Sequence, residues 1–127
     1  MHPWLAVGLG GGLGALARYL LGGWVQRWAG PAFPAGTLAV NLLGCLLVGA
    51  GMTWAEARLA SSPAARLFLM AGFLGGFTTF SAFGYETLQL LREAAWGRAM
   101  LSAAANVVVG VGAVALGRAA VLRCLGG

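Results

Sequence analysis

Apolar residues run along this chain in four long blocks, with few polar positions inside them. The blocks are Trp4 to Val25, Gly36 to Ala57, Leu67 to Leu91 and Gly97 to Val121. Each is long enough to cross a bilayer as a helix, which takes about 20 mostly apolar residues. The links between them are short. Gln26 to Ala35 holds Gly30-Pro31 and Pro34, a turn-rich stretch, and Arg58 to Arg66 holds Ser61-Ser62-Pro63, where Ser62 is placed to cap the third helix. Little is left over for a soluble domain. The pattern predicts one all-α membrane unit over residues 1–127.

Inside the third block, the stretch Gly72 to Phe83 reads G-F-L-G-G-F-T-T-F-S-A-F. Its middle makes a poor membrane helix: Gly75-Gly76 weakens it, and Thr78, Thr79 and Ser81 add three hydroxyls. In hydrocarbon, irregular backbone survives only where protein buries it or where it lines a wet cavity. Two readings fit. One is a glycine-softened packing helix; the other is a helix broken over Gly75 to Thr79, near mid-membrane, whose freed carbonyls hold an ion. Phe73, Phe77, Phe80 and Phe83 step by four and three, which puts them on one face of a helix. Small residues four apart (Gly8/Gly12, Gly10/Gly14, Gly72/Gly76 and Ala113/Gly117) predict close helix packing.

Composition sharpens the class. Only 9% of residues are charged, against about a quarter in soluble domains, so a soluble protein is excluded. The formal charge of +5 comes from arginines spread singly along the chain, not from a nucleic-acid-binding patch; they belong at helix ends beside lipid headgroups. Arg58, Arg66, Arg118 and Arg123 fall on the side of the N-terminus, and Arg18, Arg27, Arg92 and Arg98 on the other. That balance leaves the positive-inside rule nothing to choose between. Insertion in both directions follows, and with it pairing with an inverted copy, unless orientation is fixed some other way.

Tracing each span's direction puts Arg18, Thr37, Asn41, Phe80, Phe83 and Glu86 in the same half of the membrane. Each has a plainer role. Arg18 can snorkel to headgroups, Glu86 can tie helix backbones together, and Asn41 and Asn106 can join helices. The phenylalanines can simply pack. Taken together, though, positive ring edges, an amide N–H and Ser/Thr hydroxyls are all donors to an anion. Glu86 is the only acid well within a span, and no Asp occurs. Walker, triad and metal-ligand patterns are missing, and Gly12 to Ala17 matches G-x-G-x-x-A without the preceding strand that a dinucleotide site needs. The residues point away from an enzyme and toward a passive path for a small anion.

Three motifs then carry a family resemblance. Gly10 to Tyr19 resembles G-G-x-x-G-A-x-x-R-Y, Gly36 to Asn41 with Gly44 resembles G-T-L-x-V-N-x-x-G, and Gly72 to Phe83 resembles G-F-x-G-G-x-T-T-F-S-T-F. In this order, in a four-helix chain, they are similar to the CrcB/Fluc fluoride channels of prokaryotes. The resemblance implies an antiparallel dual-topology homodimer in the cell inner membrane, with two fluoride pathways and passive export of cytoplasmic fluoride. Its implied fluoride contacts are Asn41 and the ring edges of Phe80 and Phe83, with Ser81 and Thr79 on a polar track and Arg18 in the vestibule. Backbone carbonyls of Gly75 and Thr78, in a broken third helix, would hold a structural Na⁺ that is not transported.

The sequence also departs from that pattern. Ala82 stands where the third motif has Thr, and the fourth block offers only Ser102 near its start before A-A-A-N-V-V-V-G-V-G. The expected polar track is shorter. Small multidrug exporters also have four helices, but they use a Glu in the first helix, where this chain has none and carries Arg18. A scaffold protein that transports nothing is the third possibility.

Overall fold

A computed structural model of the chain describes residues 1–58 and 62–127. The Ser61 part of the second expected link lies outside the described residues. Four helical stretches are long and apolar enough to cross a membrane: Pro3–Ala29 (α1), Ala35–Arg58 (α2), Pro63–Arg92 and Trp96–Gly126. The first two are single helices. The third span is composite, with α3 (Pro63–Arg66), a π-helical segment Leu67–Leu74, α4 (Gly75–Phe77) and α5 (Phe80–Arg92). So is the fourth, with α6 (Trp96–Ala104), a π-helical segment Ala105–Val109 and α7 (Gly110–Gly126).

The wide segments are visible in their last bonds. Gly75 N–H reaches back five residues to the Met70 carbonyl, and Gly110 N–H does the same to Ala105. Such insertions re-aim the side chains that follow them and are frequent at functional sites.

Span ends obey membrane chemistry. Trp24, Trp28 and Trp96 sit at one set of ends and Trp4 and Trp54 at the other, where an amphipathic ring suits the headgroup level. The first link is held by Gln26, whose Nε2 donates to the Gly30 and Phe33 carbonyls at 2.7 and 2.9 Å while its Oε1 accepts from Gly36 N–H at 3.0 Å. Ser62 does occupy the N-cap position of α3, but its side chain makes no capping bond. Pro63 follows at the first helical position, where its fixed φ sets the helix start.

Packing pairs α1 with the first half of the third span, and α2 with α7. Glycines make both contacts close. A Cβ on Gly14 would overlap the Phe73 carbonyl, one on Gly76 the Gly11 carbonyl, and one on Gly117 the Leu46 carbonyl. Thus Gly10/Gly14 and Gly72/Gly76 do face each other. A Cβ added at Gly8 or Gly12 would meet nothing within 4 Å among the described residues. Large buried side chains are few, among them Val40, Leu74, Phe77, Phe83 and Leu90, whereas Leu13, Leu16, Val108, Val111 and Leu116 point outward. Such a surface suits hydrocarbon, not water.

Candidate ion pathway at the broken third span

The third span breaks within the expected stretch Gly75 to Thr79, at its far end. Gly75-Gly76 stay helical; the chain leaves the helix at Thr78 (φ −91°, ψ 157°) and Thr79 (φ −150°, ψ 114°). Glycine lowers helix stability without forbidding it. A break forms where the freed groups find other partners, and at Thr79 they do.

Thr79 N–H, which an unbroken helix would give to the Gly75 carbonyl, donates instead to Asn41 Oδ1 at 2.8 Å. Asn41 Nδ2 donates back to the Thr79 carbonyl at 3.0 Å. Thr79 then caps α5, its Oγ1 accepting from Ala82 N–H at 3.2 Å, so that N–H is diverted from the Thr78 carbonyl. The Gly76 carbonyl takes Arg18 Nε at 3.0 Å. Two of the carbonyls left over are those of Gly75 and Thr78. Both residues line one open hollow, with Asn41, Gly44, Leu74 and Met70 on its walls. Uncharged carbonyl oxygens freed by a break form a donor set that fits a hard monovalent cation.

On the other side of the break is a cleft of about 370 Å³, lined by Arg18, Gln26 and Arg27 of α1, Thr37 of α2, and Thr79 and Glu86. Polar groups of three spans do gather there. Glu86 is tied to a side chain and not to backbone, accepting from the Thr37 hydroxyl at 2.8 Å; its Oε2 is buried without a hydrogen-bond partner among the described residues. Arg18 bonds across from α1 to the third span. Its Nε is anchored on the broken span, and the residue also borders the cleft.

The phenylalanines do not form one stripe. The break rotates the second pair away from the first, giving a stacked Phe73–Phe77 pair (centroids 5.9 Å apart) and an edge-to-face Phe80–Phe83 pair (5.4 Å, 64°). Phe83 is buried but Phe80 is 80% exposed. Thr79 and Ser81 lie beside this pair, their hydroxyl oxygens 3.3 Å apart. Asn41, Thr79, Ser81, Phe80 and Phe83 are therefore grouped around the start of α5, Arg18 lies on the cleft side, and Gly75 and Thr78 face the hollow.

Asn106 joins helices, as expected, and its partner across the gap is Asn41. Its Oδ1 accepts from Asn41 Nδ2 at 2.9 Å, and its own Nδ2 donates to the Ser102 carbonyl at 2.8 Å. One signal was available: Asn106 and Ser102, one helical turn apart, are the two uncharged polar residues of the fourth block.

Known proteins resemble this chain over most of its length. A protein 46% identical over 114 residues, covering 90% of this chain and 91% of its own, is the fluoride-specific ion channel FluC of Acidobacterium capsulatum. Proteins of the same name from Sorangium cellulosum (42% identical, all of both chains) and Maridesulfovibrio salexigens (39%, covering 93% of this chain and 97% of its own) are also similar. These relatives are named as ion channels, which are not enzymes. Residues 5–118 match the model of the family described as CrcB-like protein, Camphor Resistance (CrcB), and with that match over most of its length the chain belongs to the CrcB-like family.

Proposed function

We propose that this chain is one subunit of a fluoride-selective channel that passively exports cytoplasmic fluoride and so limits its toxicity. The observation that carries the reading is the third span broken at Thr78-Thr79 and held by Asn41, in a chain whose relatives are named fluoride-specific channels. Fluoride is small and strongly hydrated, so a path must offer dense hydrogen-bond donors. Asn41 N–H, the Thr79 and Ser81 hydroxyls and the positive edges of Phe80 and Phe83 are the donors in this proposal. Arg18 and Arg27 at the cleft attract the anion to its mouth.

The functional unit in this reading is an antiparallel homodimer in the cell inner membrane. The four-to-four arginine balance supports insertion both ways. Phe80, bare in one subunit, is then a residue for the shared interface. Gly75 and Thr78 carbonyls of both copies hold a structural Na⁺, whose charge makes the apolar interior tolerable to an anion. No pump is needed. A potential negative inside favours anion exit by about 2.3 kcal/mol per 100 mV, roughly a 50-fold ratio.

Efflux from vesicles containing the purified protein, with fluoride and chloride compared side by side, tests the reading. Fluoride leaves without a proton gradient and chloride does not. Absence of fluoride efflux returns the chain to a scaffold role, and a strict requirement for a proton gradient points to an exporter. Thermal unfolding in Na⁺ against a large organic cation tests the ion: a saturating ligand at 100 times its Kd stabilises by about 2.7 kcal/mol, and equal curves remove the Na⁺.

A further inference from the structure

Asn41 has two amide protons and both are engaged. One is bound by the Thr79 carbonyl and the other by Asn106 Oδ1. The first belongs to a two-point pair with the Thr79 backbone, and giving it up would loosen the break itself. The second ends on a side chain and is the one an anion can take.

Asn106 is in turn held in a definite orientation. Its Nδ2 donates to the Ser102 carbonyl at 2.8 Å and lies 3.4 Å from Ser102 Oγ, with Ser102 itself 1% exposed. The oxygen of Asn106, and not its amino group, therefore faces Asn41. The residue stands in the π-helical segment Ala105–Val109, the one stretch of the fourth span where the turn is widened.

We infer that Asn106 sets how tightly the pathway holds its anion, by taking back the Asn41 proton each time the anion leaves. This rests on the fluoride reading above. Binding and release become an exchange of acceptors on one N–H: fluoride displaces a carboxamide oxygen on arrival, and the carboxamide displaces fluoride on departure. Without that returning acceptor, the empty site would contain an unsatisfied donor, and fluoride would be bound too well to move on. Conduction needs binding strong enough for entry and weak enough for exit. The competition is the same for any anion, so it tunes affinity and leaves the discrimination between anions untouched.

The test is the concentration dependence of fluoride flux through reconstituted protein, wild type against Asn106→Leu and Asn106→Asp. In Asn106→Leu, the half-saturating fluoride concentration falls about tenfold, the effect of one net hydrogen bond. The maximal rate falls as well, and the fluoride-over-chloride ratio does not change. A purely structural residue would lower the rate by reducing active protein while leaving half-saturation in place, and that result overturns the inference. Should Asn106→Leu fail to elute as a single species, the near-isosteric Asn106→Asp decides. It gives up the donor to the Ser102 carbonyl but offers Asn41 Nδ2 a charged acceptor that competes harder, so half-saturation must rise; an unchanged value overturns the inference equally. A silent wild type would sink the fluoride reading and this inference together, whereas a conducting wild type with indifferent variants sinks the inference alone.

Discussion

The side chain of Asn41 and the backbone of Thr79 form a reciprocal pair, 2.8 Å from the Thr79 N–H to Oδ1 and 3.0 Å from Nδ2 to the Thr79 carbonyl. A carboxamide on α2 thereby replaces the neighbouring helical turn for one residue of the third span. That substitution is what makes a break affordable in hydrocarbon, where an orphaned peptide group costs several kcal/mol.

Replacing Asn41 with Ala removes both partners of Thr79 and the donor to Asn106. Thermal unfolding in detergent should fall by the equivalent of about 2–4 kcal/mol, more than one net hydrogen bond, because buried groups are left bare. A loss below about 0.5 kcal/mol would mean that the break holds itself open.

Phe80 separates function from folding more cleanly. At 80% exposed in the subunit, its side chain does little for the subunit's own core, so Phe80→Ile should leave the purified protein folded while abolishing fluoride flux. Undiminished flux in vesicles removes the ring-edge contact from the proposal. Phe83, buried beside it, cannot serve the same purpose, since its loss would also create a cavity.

Close approach of α1 to the third span predicts opposite outcomes at two glycines. Gly14→Ala drives a methyl into the Phe73 carbonyl and should destabilise by about 1–3 kcal/mol, the usual cost of overpacking. Gly97, in the first turn of α6 with nothing within 4 Å of an added Cβ, should accept Ala and gain up to about 1 kcal/mol of helix propensity. Comparison of the two melting curves checks both.

Ala94, between α5 and α6, holds φ 57°, a left-handed conformation that costs an L-residue about 1–2 kcal/mol. Ala94→Gly relieves that cost but adds backbone freedom to the unfolded chain. The expected result is a small rise in melting temperature with flux unchanged; a fall would show that the methyl packs usefully at this turn.

Much of this protein was legible as a string. Four apolar blocks specify four spans, because a bilayer core imposes one length on every crossing helix. Three motifs were enough to place the family, and glycines and hydroxyls marked the third span as either a softened packing helix or a broken one. The string bounded the break between Gly75 and Thr79 but did not say which of those residues leave the helix. Gly75-Gly76 is the weaker helix former, yet the chain parts at Thr78-Thr79, since the position is decided by where Asn41 waits to receive the freed N–H. The same reason split the phenylalanine stripe into two pairs and decided that Asn106 joins helices through Asn41. Local propensity is written residue by residue; which freed group meets which distant acceptor exists only after the spans have packed.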